Sequence, residues 1–128
     1  MFVFSLYLKT NYGFQIWKFK GWQKALDLTD EIDKLTKTFP KDEVFILTSQ
    51  IKRAADSISL NIAEGSTDQS NAEFTRFLRY ALRSDVEVVG CLHIAKRRKY
   101  ITEENFLILY KACEEVLVML NGLIKSLK

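Results

Sequence analysis

The sequence predicts an all-α domain, an antiparallel up-down-up-down left-handed four-helix bundle, on three observations. Apolar residues recur at alternating steps of three and four in four separate stretches. Breakers are scarce, with five glycines and one proline in 128 residues. The breaks that occur are only a few residues long and fall between the stretches. Long uninterrupted elements in a small domain are helices, since an all-β chain would need many Gly/Pro turns. Short connections force neighbouring helices antiparallel, and the repeat implies left-handed crossings of about 20°.

The first stripe is Ala25, Leu28, Ile32, Leu35, Phe39, and Phe39-Pro40-Lys41-Asp42 ends it, because a residue before proline is pushed out of helical geometry. The second is Val44, Leu47, Ile51, Ala54, Ile58. Ala63-Glu64-Gly65 closes it, with Gly65 placed at the left-handed position after the helix. Ser70-Asn71-Ala72-Glu73 matches a capping box and opens the third helix, whose stripe is Phe74, Leu78, Ala81, Asp85, Val88, Leu92, Ala95. Thr102 caps the fourth, with Glu103 and Glu104 near its positive end. The fourth stripe is Phe106, Leu109, Cys113, Val116, Leu120, Leu123, Leu127. Trp22, Ala55, Ile62, Phe77, Tyr110 and Ile124 widen the stripes beyond a two-stranded seam. Residues 19–128 are therefore read as the bundle domain and 1–18 as a lead-in. Met1–Leu8 is apolar but interrupted by Lys9, with no basic start or small-residue cleavage site, so it makes a poor signal peptide. It is too short to span a bilayer. Met1–Lys18 has no clear period and reads as a mobile lead-in or as an apolar arm that docks on a neighbour.

The net charge is +3, too small to diagnose a nucleic-acid binder, but its distribution is uneven. Residues 70–100 carry seven Lys/Arg against three Asp/Glu, and no other quarter exceeds +2. Arg76, Arg79, Arg83 and Arg97 share the outer side of the third helix over roughly 30 Å, and Lys96-Arg97-Arg98-Lys99 finishes it. Two readings compete. A helix C-terminus attracts cations and an outer face is ordinarily charged, or the stripe tracks phosphates with Tyr80 and Tyr100 near enough to stack on bases.

Two further features break the pattern. Gln50, Arg53, Ser57, Asn61 and Glu64 keep one face of the second helix, with Asn61 at a register where an apolar residue is expected. The face reads as a solvated flank or as a hydrogen-bonded contact between helices or subunits. Asp85 sits in the apolar stripe of the third helix, where a lone carboxylate is costly; either it has a partner, with Arg53 the candidate, or it faces a wetter part of the bundle. Cys91 and Cys113 read as reduced apolar residues. One histidine, His93, is too few for a metal centre, and no P-loop, GxSxG, HExxH or GxGxxG occurs. The expectation is no enzyme, no metal and no cofactor.

The run Gln50-Ile51-Lys52-Arg53-Ala54-Ala55-Asp56-Ser57-Ile58-Ser59-Leu60-Asn61-Ile62-Ala63-Glu64-Gly65 resembles the signature of the 23S rRNA intervening-sequence protein family, the S23-type four-helix bundles. Trp22-Gln23-Lys24-Ala25, Glu73-Phe74, Phe77-Leu78, Ser84 and Glu87 follow the same pattern in the same order, so that the resemblance spans residues 17–127. It implies a small bacterial bundle, often encoded within an insertion in ribosomal RNA genes, with relatives that assemble as pentamers. One related protein, the accessory protein of diversity-generating retroelements, binds nucleic acid and a reverse transcriptase. This chain departs from the pattern at Arg83, where the family has glycine, and at Asp85, where it has an apolar residue.

Residues and resemblance together give the expected function: a cytoplasmic, non-enzymatic homo-oligomer, by resemblance a pentamer, that binds RNA or DNA through Arg76, Arg79, Arg83, Lys96, Arg97, Arg98 and Lys99. The family-motif face or interface is Gln50, Arg53, Ser57, Asn61, Glu64, Ser84 and Glu87. Neither a membrane nor a small-molecule substrate is expected. The alternative is a protein-interaction scaffold with no nucleic-acid role.

Overall fold

Lys20–Thr36 form α1, Leu47–Gly65 α2, Asn71–Arg97 α3 and Glu103–Ser126 α4 in a computed structural model that describes residues 15–67 and 70–128. No strand occurs among them. α1 packs on α2, α2 on α3, α3 on α4, and α4 closes back on α1, with the α2–α3 contact the most extensive. No helix among the described residues is long and apolar enough to cross a membrane. The lead-in expected over residues 1–18 lies mostly outside the described residues. Its described end has a 3-10 turn at Ile16–Lys18, and Ile16 packs against the core.

The stripes become the core. Ile32, Ile51, Ile58, Leu78, Val88, Leu92, Val116 and Leu120 are fully buried, and each such side chain contributes about 1.5–3 kcal/mol of hydrophobic stabilisation. In α4 the buried position drifts from the heptad. Ile124 is 4% exposed while Leu123 and Leu127 are half-buried, because a 3.6-residue turn does not keep a 3.5-residue repeat. Trp22 bridges α1 to α2 by donating its indole N–H to the Ser59 carbonyl at 3.2 Å.

The helix ends follow local chemistry. The Ser70 hydroxyl accepts from the Glu73 N–H at 3.1 Å and the Thr102 hydroxyl from the Asn105 N–H at 3.0 Å, so both expected caps form. Two expectations are corrected. Val44 is not core: α2 begins at Leu47, residues Lys41–Glu43 form a 3-10 turn, and Val44 is 47% exposed. Gly65 is not a left-handed cap: it is the last residue of α2, followed by Ser66 at φ −68°. Its role is close approach, since a Cβ there would lie 2.6 Å from Cβ of Phe77 and 3.0 Å from Cδ1 of Phe74. The left-handed residue is Lys99, φ 63°, after α3. There the Tyr100 N–H reaches the Ala95 carbonyl at 2.9 Å and the Lys99 N–H the Lys96 carbonyl at 3.0 Å, the double bond of a Schellman ending.

Candidate functional site

The polar face of α2 divides. Ser57 faces α3, where the Ser84 hydroxyl donates to its Oγ at 2.9 Å. Asn61 Nδ2 donates to both the carbonyl and the Oγ of Ser57, each at 2.9 Å. Gln50 Nε2 donates to Glu87 Oε2 at 3.3 Å. These five residues form a seam across the α2–α3 groove. Among the described residues Asn61 bonds only within its own helix and reaches α3 through Ser57, which corrects the expectation that it bonds another helix of the bundle directly. Arg53 and Glu64 are exposed and have no side-chain partner among the described residues.

Asp85 does not meet Arg53. It is 2% exposed and faces the Cys113 thiol of α4, and its Oδ1 has no hydrogen-bond partner among the described residues. Burial pushes the Asp85 carboxyl up to about 7, with the Cys113 hydrogen bond opposing the shift. Burial also holds the Cys113 thiol neutral, reinforced by the Asp85 charge and hydrogen bond, and pushes the Cys91 thiol up to about 11. A thiol this far from its thiolate is a poor nucleophile.

The basic residues also divide, because several are already paired. Arg76 bonds Glu73 and the Tyr80 hydroxyl, and its guanidinium lies 4.9 Å from the Phe77 ring centroid. Lys96 pairs with Glu103 at 3.0 Å and sits over the Phe106 ring. Arg98 pairs with Glu43 at 3.0 Å. Arg79, Arg83, Arg97 and Lys99 are exposed and have no carboxylate partner among the described residues; Arg83 lies 5.9 Å from the Tyr80 ring centroid. Glu87, four residues after Arg83, is engaged with Gln50 instead. The outer face of α3 thus keeps Arg79 and Arg83 near its middle and Arg97 with Lys99 at its end.

One feature escaped the sequence reading. Glu43, 8% exposed, accepts from the Tyr100 hydroxyl at 2.7 Å, from Arg98 Nη1 at 3.0 Å and from the Leu47 N–H at 3.4 Å. The Tyr100 hydrogen bond holds the Glu43 carboxyl below the usual carboxylate range, against burial, with help from Leu47 and Arg98. Phe39 packs on Tyr100 at 5.6 Å between ring centroids. The clamp fixes the α1–α2 loop to the α3–α4 loop and turns Val44, Phe45 and Ile46 outward, Phe45 being 90% exposed. Nothing in the run Val44-Phe45-Ile46 distinguishes an outward loop from a core stripe. Among the described residues no three His, Cys, Asp or Glu side chains gather as a metal ion would require.

A family model described as 23S rRNA-intervening sequence protein matches residues 18–122. Among solved structures, the chain is similar to a protein of unknown function from the S23 ribosomal protein family of Bacteroides thetaiotaomicron. The two share 30% identity with a TM-score of 0.76, over 82% of this chain and 95% of that one. No curated protein matches the chain.

Proposed function

This chain belongs to the 23S rRNA-intervening sequence protein family, and on that premise we propose that it is a non-enzymatic, homo-oligomeric bundle that binds RNA or DNA through the outer face of α3. The observation that carries the proposal is that Arg79, Arg83, Arg97 and Lys99 stay exposed and without a carboxylate partner among the described residues. The ribosomal RNA in the family's description gives the polyanion class. Cations free of internal pairs can release counterions from phosphates, whereas Arg76, Lys96 and Arg98 would first have to break their bridges. Binding of this kind falls steeply with salt and is nearly indifferent to sequence.

The antiparallel reading of the bundle is supported at the α2–α3 pair, since Gln50, Ser57 and Gly65 of α2 meet Glu87, Ser84 and Phe77 of α3 in reverse order; the left-handed crossing is proposed from the spacing of the apolar stripes. The pentamer is proposed from the family resemblance; repetition of the arginine stripe in a ring would add weak contacts as avidity. Light scattering on a size-exclusion column tests it, with a multiple of the 14.9 kDa chain mass expected and a clean monomer at micromolar concentration against it. A protein-interaction scaffold is the second reading, favoured by Leu60, Leu107, Ile108 and Val118, which are all more than half exposed. Titration of wild-type protein with structured RNA and duplex DNA at rising salt separates the two: the scaffold binds neither.

A further inference from the structure

Phe45 is held 90% exposed on a loop with little freedom to hide it. The Val44 N–H bonds the Lys41 carbonyl at 3.2 Å and the Ile46 N–H the Glu43 carbonyl at 3.0 Å, and the Glu43 carboxylate is gripped by Arg98 and Tyr100 of the α3–α4 loop. A phenyl ring fixed in water forgoes the burial that most aromatic side chains obtain.

The charge around it is also arranged at a cost. Across residues 40–46 and 97–102 the cations are Lys41, Arg97, Arg98 and Lys99, and the acids Asp42 and Glu43. Arg98 and Glu43 neutralise one another, which leaves Lys41, Arg97 and Lys99 against Asp42. Lys99 is the one non-glycine residue at positive φ among the described residues. Glycine would fill that position without strain, so the lysine keeps a cation on the loop that Arg98 and Tyr100 clamp to the Phe45 loop, at the expense of backbone comfort.

We infer that this end of the bundle is a binding site for unpaired nucleotides, with a base stacked on Phe45 and the flanking phosphates held by Arg97 and Lys99. The inference rests on the nucleic-acid reading above and narrows it to strands with unpaired bases. A nucleotide joins a flat apolar base to charged phosphates, which matches an exposed ring on a loop clamped to one that carries cations. The cores of protein interfaces are depleted of charge, and a membrane-surface element buries a continuous apolar helix face, whereas here three exposed apolar residues share two clamped loops with Lys41, Arg97 and Lys99.

The test is fluorescence anisotropy with a short labelled RNA as a single strand and as its duplex, on wild type, Phe45→Ala and Lys99→Gly. Phe45 is exposed and glycine suits the Lys99 backbone, so both variants fold. Phe45→Ala is expected to weaken single-strand binding about 10-fold, by loss of one stacking contact, with little change on the duplex. Lys99→Gly is expected to weaken both and lower the salt slope by about one phosphate contact. If wild type binds RNA and Phe45→Ala binds single strand equally well, the stacking site is overturned and the arginine face stands. If wild type binds neither form at low salt, the nucleic-acid reading falls and this inference with it. Sedimentation of wild type, but not Phe45→Ala, with phosphatidylserine vesicles would overturn the site in favour of a membrane surface.

Discussion

The Asp85 carboxyl of α3 faces the Cys113 thiol of α4 inside the core, where Asp85 is 2% and Cys113 0% exposed. The folded protein favours the protonated acid, because burial raises its titration from the usual 3.8 to about 7. Between those values the folded chain binds more protons than the unfolded one, so stability falls as pH rises and stays lower above 7. Urea unfolding of wild type should therefore show about 2 kcal/mol less stability at pH 8 than at pH 5. Asp85→Asn, which cannot ionise, should remove that difference. Equal wild-type stability at the two pH values would show that Asp85 is not held neutral.

Gly65 closes α2 against Phe74 and Phe77 of α3. A methyl group there meets the Cβ of Phe77, which is too near the backbone to swing aside. Gly65→Ala should cost about 2 kcal/mol by overpacking, even though alanine is the better helix former. Thermal unfolding checks it, and an unchanged or raised Tm would mean the two helices part easily at this point.

The seam between α2 and α3 makes a graded prediction. Ser84→Ala removes the hydroxyl that bridges the helices and should cost about 1 kcal/mol. Asn61→Ala breaks bonds confined to one helix turn at a half-buried site, and should cost less than about 1 kcal/mol. The ranking is read from paired chemical denaturation curves. An Asn61→Ala cost clearly above that of Ser84→Ala would point to a partner for Asn61 outside the monomer.

Much of the fold was legible because its signals are local. Ser70 and Thr102 announce helix starts by chemistry within three residues, and the apolar stripes announce buried faces by spacing alone. The misplacements come from information the chain does not carry locally. Val44 fits the heptad, but Glu43 is drawn to Arg98 and Tyr100, distant in sequence, and this turns the apolar run outward. Gly65 looks like a cap, but its need is set by Phe77 across the groove. The basic stripe was legible as composition; which arginines remain free was not, because Glu73 and Glu43 decide it through side-chain geometry.

The proposed interface is tested most directly by reversing Arg79 and Arg83 together to Glu. Both are exposed on α3, so the double variant should keep the wild-type helical signal and Tm. Gel-shift titrations with structured RNA at low and moderate salt should show wild type binding at low salt and weakening steeply at the higher, with the double variant weaker by about 10-fold or more at low salt. Identical binding by the variant, or no wild-type binding at low salt, would contradict nucleic-acid recognition through this face.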